Sequence, residues 1–132
     1  MDENTTQQLI DIALNARQWA YAPYSKYRVG AALLTASGKV YEGVNIENAA
    51  YPTGICAERV AIFKAVSEGE REFETIVVAT QNGGSPCGSC RQVLAEFGLA
   101  TRVIIVNAEG TIMWDTTVRD ILPDAFTPEK LV

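Results

Sequence analysis

Three cysteines constrain this chain more than any other feature. They stand as Cys56-Ala57-Glu58 and Pro86-Cys87-Gly88-Ser89-Cys90, and the chain has no histidine. Cysteine and carboxylate are therefore the only strong metal ligands it offers. A fold that uses all three thiols together must bring two distant segments to one point. Both motifs fall where helices are predicted to start. A helix N-terminus presents free N–H groups and a partial positive charge, which favour the thiolate, the form that binds metal. Cys87 and Cys90, three residues apart, share one helical face. Cys56 completes the set only if the two helix starts converge across a sheet edge.

Three thiolates are soft ligands that favour zinc over magnesium or calcium. They leave a fourth tetrahedral position open, which is the arrangement of a catalytic zinc rather than a structural one. Glu58, two residues from Cys56, can reach over the metal as an acid/base group, or can itself ligate. Two plainer readings compete. A redox Cys-x-x-Cys pair leaves Cys56 and Glu58 without a role, and a structural zinc ribbon lacks its fourth ligand. The missing histidine also removes Ser-His and Cys-His nucleophilic schemes. Zn²⁺ with three thiolates carries a formal charge of about −1, so the ion is a poorer Lewis acid than a histidine-ligated one. Arg59 and Arg91 are the neighbouring cations. At least one of them, Arg59 first, is expected to hydrogen-bond a ligand sulfur and offset that charge.

The rest of the chain is read from periodicity. Leu9, Ile12, Ala13, Ala16, Trp19 and Ala20 fall on one face of a helix over about 6–20, with Trp19 expected in the core, Thr5-x-x-Gln8 as a capping box and Pro23 as the stop. Strands are predicted at 27–34 and 39–44, joined by Ala36-Ser37-Gly38 as a hairpin turn, and again at 75–80, 102–106 and 111–115. Helices are predicted from Ile55 or Cys56 to about Gly69, from Cys87 to Phe97 with Pro86 in the first turn and Gly98 as the stop, and over 118–122. Val60, Ile62, Phe63 and Val66 make the middle helix largely buried. Strands alternating with helices imply an α/β fold, a mixed five-stranded sheet covered by helices. With 132 residues, 48% of them hydrophobic, the chain is expected to form one domain over 1–132.

The net charge is −5 and the sequence holds no basic cluster. A protein that grips a nucleic-acid backbone shows a basic patch, so a polymeric substrate is disfavoured and a small molecule favoured. The first residues have neither a basic nor an apolar signal region, and no apolar run spans a bilayer. No membrane association and a cytoplasmic location are expected.

The same residues resemble the small, single-domain cytidine deaminases. The likeness runs through Ala22-Pro23-Tyr24-Ser25-Lys26-Tyr27-Arg28-Val29-Gly30-Ala31-Ala32-Leu33 and Gly43-Val44-Asn45-Ile46-Glu47-Asn48-Ala49-Ala50-Tyr51-Pro52. It continues through Cys56-Ala57-Glu58-Arg59, Ser85-Pro86-Cys87-Gly88-Ser89-Cys90-Arg91-Gln92 and Leu122-Pro123-Asp124-Ala125-Phe126. The resemblance implies a three-layer α/β/α fold, one zinc ion per subunit on Cys56, Cys87 and Cys90, and a homotetramer with shared active sites. The implied reaction is deamination of cytidine and 2′-deoxycytidine, as in pyrimidine salvage. Zinc-activated hydroxide attacks C4 and Glu58 carries the protons. Asn45 and Glu47 would hold the ribose hydroxyls and Tyr27 would pack on the base. The Ala57 N–H would meet the base O2 and the Ser85 carbonyl the amino group. Phe126 and Tyr51 would reach a neighbouring subunit's pocket. Two departures stand out: tyrosine at position 27, where the family often has phenylalanine, and a loop 81–84 shorter than usual. A deaminase of another cytosine compound and a non-enzymatic zinc scaffold are the competing classes.

Overall fold

In Ala31–Leu34 successive side chains point to opposite faces of a strand, and all four are buried. Such a strand needs cover on both sides. The computed structural model describes residues 3–131 and supplies that cover. Its elements are α1 (Glu3–Ala16), β1 (Gly30–Thr35), β2 (Val40–Val44), α2 (Ala57–Ser67), β3 (Phe73–Ala79), α3 (Gly88–Glu96), β4 (Arg102–Val106), β5 (Ile112–Thr117) and α4 (Val118–Ile121), with short 3₁₀ turns at Arg17–Trp19, Tyr51–Thr53 and Pro128–Leu131. Ala32, Leu34, Val77, Ala79, Ile104 and Val106 face Leu9, Ile10 and Ala13 of α1. Their alternate neighbours Ala31, Leu33, Ile76, Val78, Val103 and Ile105 face Ala57, Ala61 and Ile62 of α2 and Leu94 of α3. The result is three layers, α/β/α.

The strand order is β2-β1-β3-β4-β5. β3 and β4 run parallel, while β1–β2, β1–β3 and β4–β5 are antiparallel. The mixed sheet matches the sequence expectation. The parallel pair needs a crossover, and α3 is that crossover. Its start therefore lies just past the C-terminal end of β3, a position where open α/β sheets build their sites. The start of α2 is brought close to β2 by a missing side chain. A Cβ on Gly43 would sit 2.2 Å from the Ala57 carbonyl oxygen and 2.7 Å from the Ala61 nitrogen. Only glycine lets the first turn of α2 lie that close to the sheet.

Four local expectations change. The first helix ends as an α-helix at Ala16 and tightens into a 3₁₀ turn over Arg17–Trp19. The tighter winding rotates Trp19 off the apolar face, and the residue is 73% exposed rather than in the core. Thr5 and Gln8 lie inside a helix that is already formed at Glu3, so they do not form a capping box at its start. Phe63 is exposed, because the buried stripe of α2 is Ala57, Ala61, Ile62 and Ala65. Pro86 precedes α3 rather than starting it, since Cys87 is the N-cap. Gly98 takes the positive φ of a helix stop, +135°.

Gly43→Ala should therefore force α2 away from β2. Urea unfolding should show a loss of about 1–3 kcal/mol, and the variant should retain less metal than the wild type.

Candidate metal centre

Cys56 and Cys87 are the N-caps of α2 and α3, both with extended backbone and neither with a side-chain cap bond. Cys90 lies in the first turn of α3, buried. Their sulfurs all lie within 4.8 Å of one another, Cys56 to Cys87 at 3.8 Å and Cys87 to Cys90 at 3.3 Å. Zinc–sulfur bonds of about 2.3 Å in a tetrahedron require sulfurs about 3.8 Å apart. The donor set fits zinc in kind, number and spacing, with small adjustments.

The surroundings favour negative charge on Cys56. The Arg59 guanidinium donates to Cys56 Sγ at 3.4 Å. Its Nε is buried without a partner. Among the described residues the one carboxylate ion pair is Arg102–Asp115, so Arg59 has no carboxylate counter-ion. Its pKa is raised, first by the bond to Cys56 and further by Cys90. A guanidinium placed this way is compensated by the Cys56 thiolate. The sulfurs divide charge unequally among themselves. Cys56 is pushed down to about 5, first by the hydrogen bond from Cys90 and then by Arg59 and Cys87, against its burial. Cys90 is pushed up, first by its bond with Cys56 and then by burial. The expected arginine–sulfur contact is thus present at Arg59. Arg91 instead donates to the Pro86 and Ile121 carbonyls and to Ser85 Oγ, holding the approach to Cys87.

Glu58 is one residue into α2 and 4% exposed. Burial pushes its pKa up to about 7; the charge on Cys56 adds to this, while its own backbone N–H, Cys90 and Arg59 oppose it. A carboxyl poised near neutrality can both accept and return a proton.

A cavity of about 480 Å³ opens beside this cluster. Asn45, Glu47, Tyr51, Cys56 and Arg59 line it. Backbone pairing fixes their spacing. The Ile46 N–H and carbonyl pair with Ile55, the residue before Cys56, while the Asn45 carbonyl and Glu47 N–H pair with Tyr21 on the other side. The side chains of the central segment then hold the loop over 24–29. Asn45 accepts from the Val29 N–H and donates to the Tyr27 carbonyl. Glu47 accepts from the Tyr24 and Ser25 N–H groups and from the Ser25 hydroxyl. The Ser25 bond leads the causes that hold its carboxyl below the usual range.

Of the residues singled out in the sequence, Cys56, Cys87, Cys90, Glu58 and Arg59 come together. Asn45, Glu47 and Tyr51 share the cavity with Cys56. Ala57 opens α2, its side chain buried. Tyr27, Ser85 and Phe126 lie outside that lining. Tyr27 donates its hydroxyl to Asn82, and Ser85 is held by Arg91. Phe126 is 56% exposed, its carbonyl accepting from Gln92. Sequence reasoning missed Gly43, Ser25 and Asn82. Gly43 and Ser25 stand within quoted motifs, but nothing in a sequence pairs Asn82 with Tyr27.

Comparison with known proteins agrees with this geometry. The family model described as the cytidine and deoxycytidylate deaminase zinc-binding region matches residues 3–107. A cytidine deaminase of Sporosarcina psychrophila is 50% identical over 128 residues, 95% of this chain and 93% of that protein. The crystal structure of a cytidine deaminase from Burkholderia pseudomallei superposes with a TM-score of 0.87 at 45% identity, covering 96% of this chain and 100% of that one. A cytidine deaminase structure from Mycobacterium tuberculosis gives 0.79 at 34% identity over 92% and 96%. The matched region is a zinc-binding one, and the cluster of Cys56, Cys87 and Cys90 could hold that ion.

Two measurements check it. Cys87→Ala should reduce bound zinc from about one ion per chain to near zero, read by metal analysis, and lower the melting temperature. Glu58 tests the burial. Its folded pKa lies above the ordinary 4.5, so the stability it contributes is fully present below that value and is lost as pH rises through about 7. Glu58→Gln removes this loss. In the zinc-chelated protein the variant should be more stable at pH 8 by about 3 kcal/mol in urea unfolding, the gap closing towards pH 5.

Proposed function

The chain belongs to the cytidine and deoxycytidylate deaminase family, and from that premise we propose that it converts cytidine and 2′-deoxycytidine to uridine and 2′-deoxyuridine with release of ammonia. The observation that carries this reading is a buried carboxyl, Glu58, beside a three-cysteine zinc site, next to a cavity lined by Asn45 and Glu47. Bound zinc supplies the Lewis acidity that turns water into a nucleophile near neutral pH. The protein's own groups do the rest.

Glu58 takes a proton from the attacking water and delivers it to ring N3. It then carries the remaining proton of the attacking oxygen to the amine leaving C4. Water is consumed and ammonia released, so the exchange balances without another reactant. Burial weakens the acidity of this carboxyl, which suits one group to both directions of transfer. Asn45 and Glu47 hold the ribose hydroxyls. Glu47 stays ionised and is acceptor-only, which suits a sugar hydroxyl donor. The Ala57 N–H, at the start of α2, meets the base O2. The Ser85 carbonyl accepts from the amino group, and Tyr27 packs on the base. Arg59 draws charge from Cys56 and so restores electrophilic strength to the metal.

The assembly reading is a homotetramer with shared active sites. Tyr51 and Phe126, 76% and 56% exposed on one chain, are aromatics available to a neighbouring copy. Residues 1–132 act as one catalytic unit, in the cytoplasm, returning nucleosides to pyrimidine salvage. No helix of the described residues is long and apolar enough to cross a membrane.

Glu58→Ala is the direct test. Zinc content should stay near one per chain while cytidine turnover, followed by ammonia release, falls at least about a thousandfold. Full activity in that variant would falsify the mechanism. In the wild type, cytidine and deoxycytidine should be deaminated and an oligonucleotide should not.

A further inference from the structure

The tyrosine at position 27 and the short loop before Ser85 are two departures that meet in space. Tyr27 donates its hydroxyl to Asn82 Oδ1 at 2.8 Å. The loop around Asn82 is shaped for this contact. Thr80 Oγ1 accepts from the Gly83 N–H at 2.7 Å and the Gly84 N–H at 2.9 Å, closing the tip on itself. Gly83 adopts φ +79°, and a Cβ there would meet Met113 Cγ at 2.5 Å. A Cβ on Gly84 would come within 2.4 Å of the Tyr27 hydroxyl oxygen. The glycine pair thus lets the loop fit between Met113 on one side and Tyr27 on the other, with Asn82 facing the hydroxyl. The base of the same loop has a separate tie, from Arg17 to Gln81 at 3.3 Å, so the Tyr27 contact acts on the tip.

The other polar groups of Tyr27 are held as well. Its N–H donates to Ser25 Oγ, which is bound to Glu47, and its carbonyl accepts from Asn45. One residue therefore links both sugar-side positions to the loop that leads through Ser85 and Pro86 to Cys87. We propose that Asn82 is a positioning residue for nucleoside binding: by fixing the Tyr27 hydroxyl it sets the orientation of the ring and the gap between the sugar-side loop over 24–29 and the segment entering the zinc site. This rests on the deaminase reading above. Asn82 acts through Tyr27, to which its Oδ1 is bonded, and not on the metal or the reacting atoms.

The test compares steady-state kinetics on cytidine for wild type, Tyr27→Phe, Asn82→Leu, the double variant and Asn82→Asp, each as the zinc-loaded protein. Loss of one net hydrogen bond should raise KM about fivefold in Tyr27→Phe and in Asn82→Leu, with kcat within about twofold and zinc near one per chain. The double variant should be no worse than either single one, because both remove the same bond. Asn82→Asp keeps an acceptor and should restore KM. Gly84→Ala, which pushes the hydroxyl aside, should raise KM as Tyr27→Phe does. A KM unchanged in Asn82→Leu, or a double variant whose effects multiply, overturns the positioning role while leaving the deaminase reading intact. A fall in kcat or zinc content without a KM change makes Asn82 merely structural and also overturns it. A wild type that turns over no cytidine overturns the underlying function first.

Discussion

Everything at this site depends on two helix N-termini aimed at one point. Three sulfurs within 4.8 Å of one another would repel as thiolates, so the fold must supply positive potential from several directions. The starts of α2 and α3 give it through their free N–H groups, and Arg59 gives it as a full charge on Cys56. The geometry follows from elements far from the metal. The β3–α3–β4 crossover places one helix start beyond the sheet, and the bare backbone of Gly43 lets the other lie close against β2. Arg91 then fixes the last residues before Cys87 by gripping two carbonyls and the Ser85 hydroxyl.

Burial and charge divide the roles of the two nearby carboxylates. Glu58 is enclosed and its acidity is weakened by loss of water. Glu47 lies in an open cleft, surrounded by N–H and O–H donors, and its acidity is strengthened. The same functional group is thereby set to exchange protons in one place and to remain a fixed acceptor in the other. Their separation along the chain is bridged by the Ile46–Ile55 pairing, so the two environments are built into one rigid piece of backbone.

Much of this was legible in the sequence because it is periodic or rare. The unbroken apolar runs Ala31–Leu34 and Val103–Val106 suit strands covered on both faces, and the lack of histidine makes three cysteines conspicuous. The predicted Arg59–sulfur contact came from a charge sum alone. Trp19 leaves the apolar face because a 3₁₀ turn, which its composition does not announce, breaks the helical period there. The Tyr27–Asn82 bond was invisible for a different reason: it joins residues far apart in sequence through side chains that each have ordinary surface uses. Gly43 looked like one more strand glycine, and only the approach of Ala57 explains it.

The central strip over 45–47 is hydrogen-bonded on both edges, to Tyr21 and to Ile55. It works as a gauge block. The distance from Asn45 and Glu47 to Cys56 is set by main-chain pairing, which no side-chain replacement along the strip readily lengthens or shortens. Under the proposed reading, such a gauge would measure the whole nucleoside, ring and sugar together. A bare nucleobase would then leave half of it without contact and a bulkier scaffold would overrun it, so the backbone itself would take part in selecting what reaches Glu58.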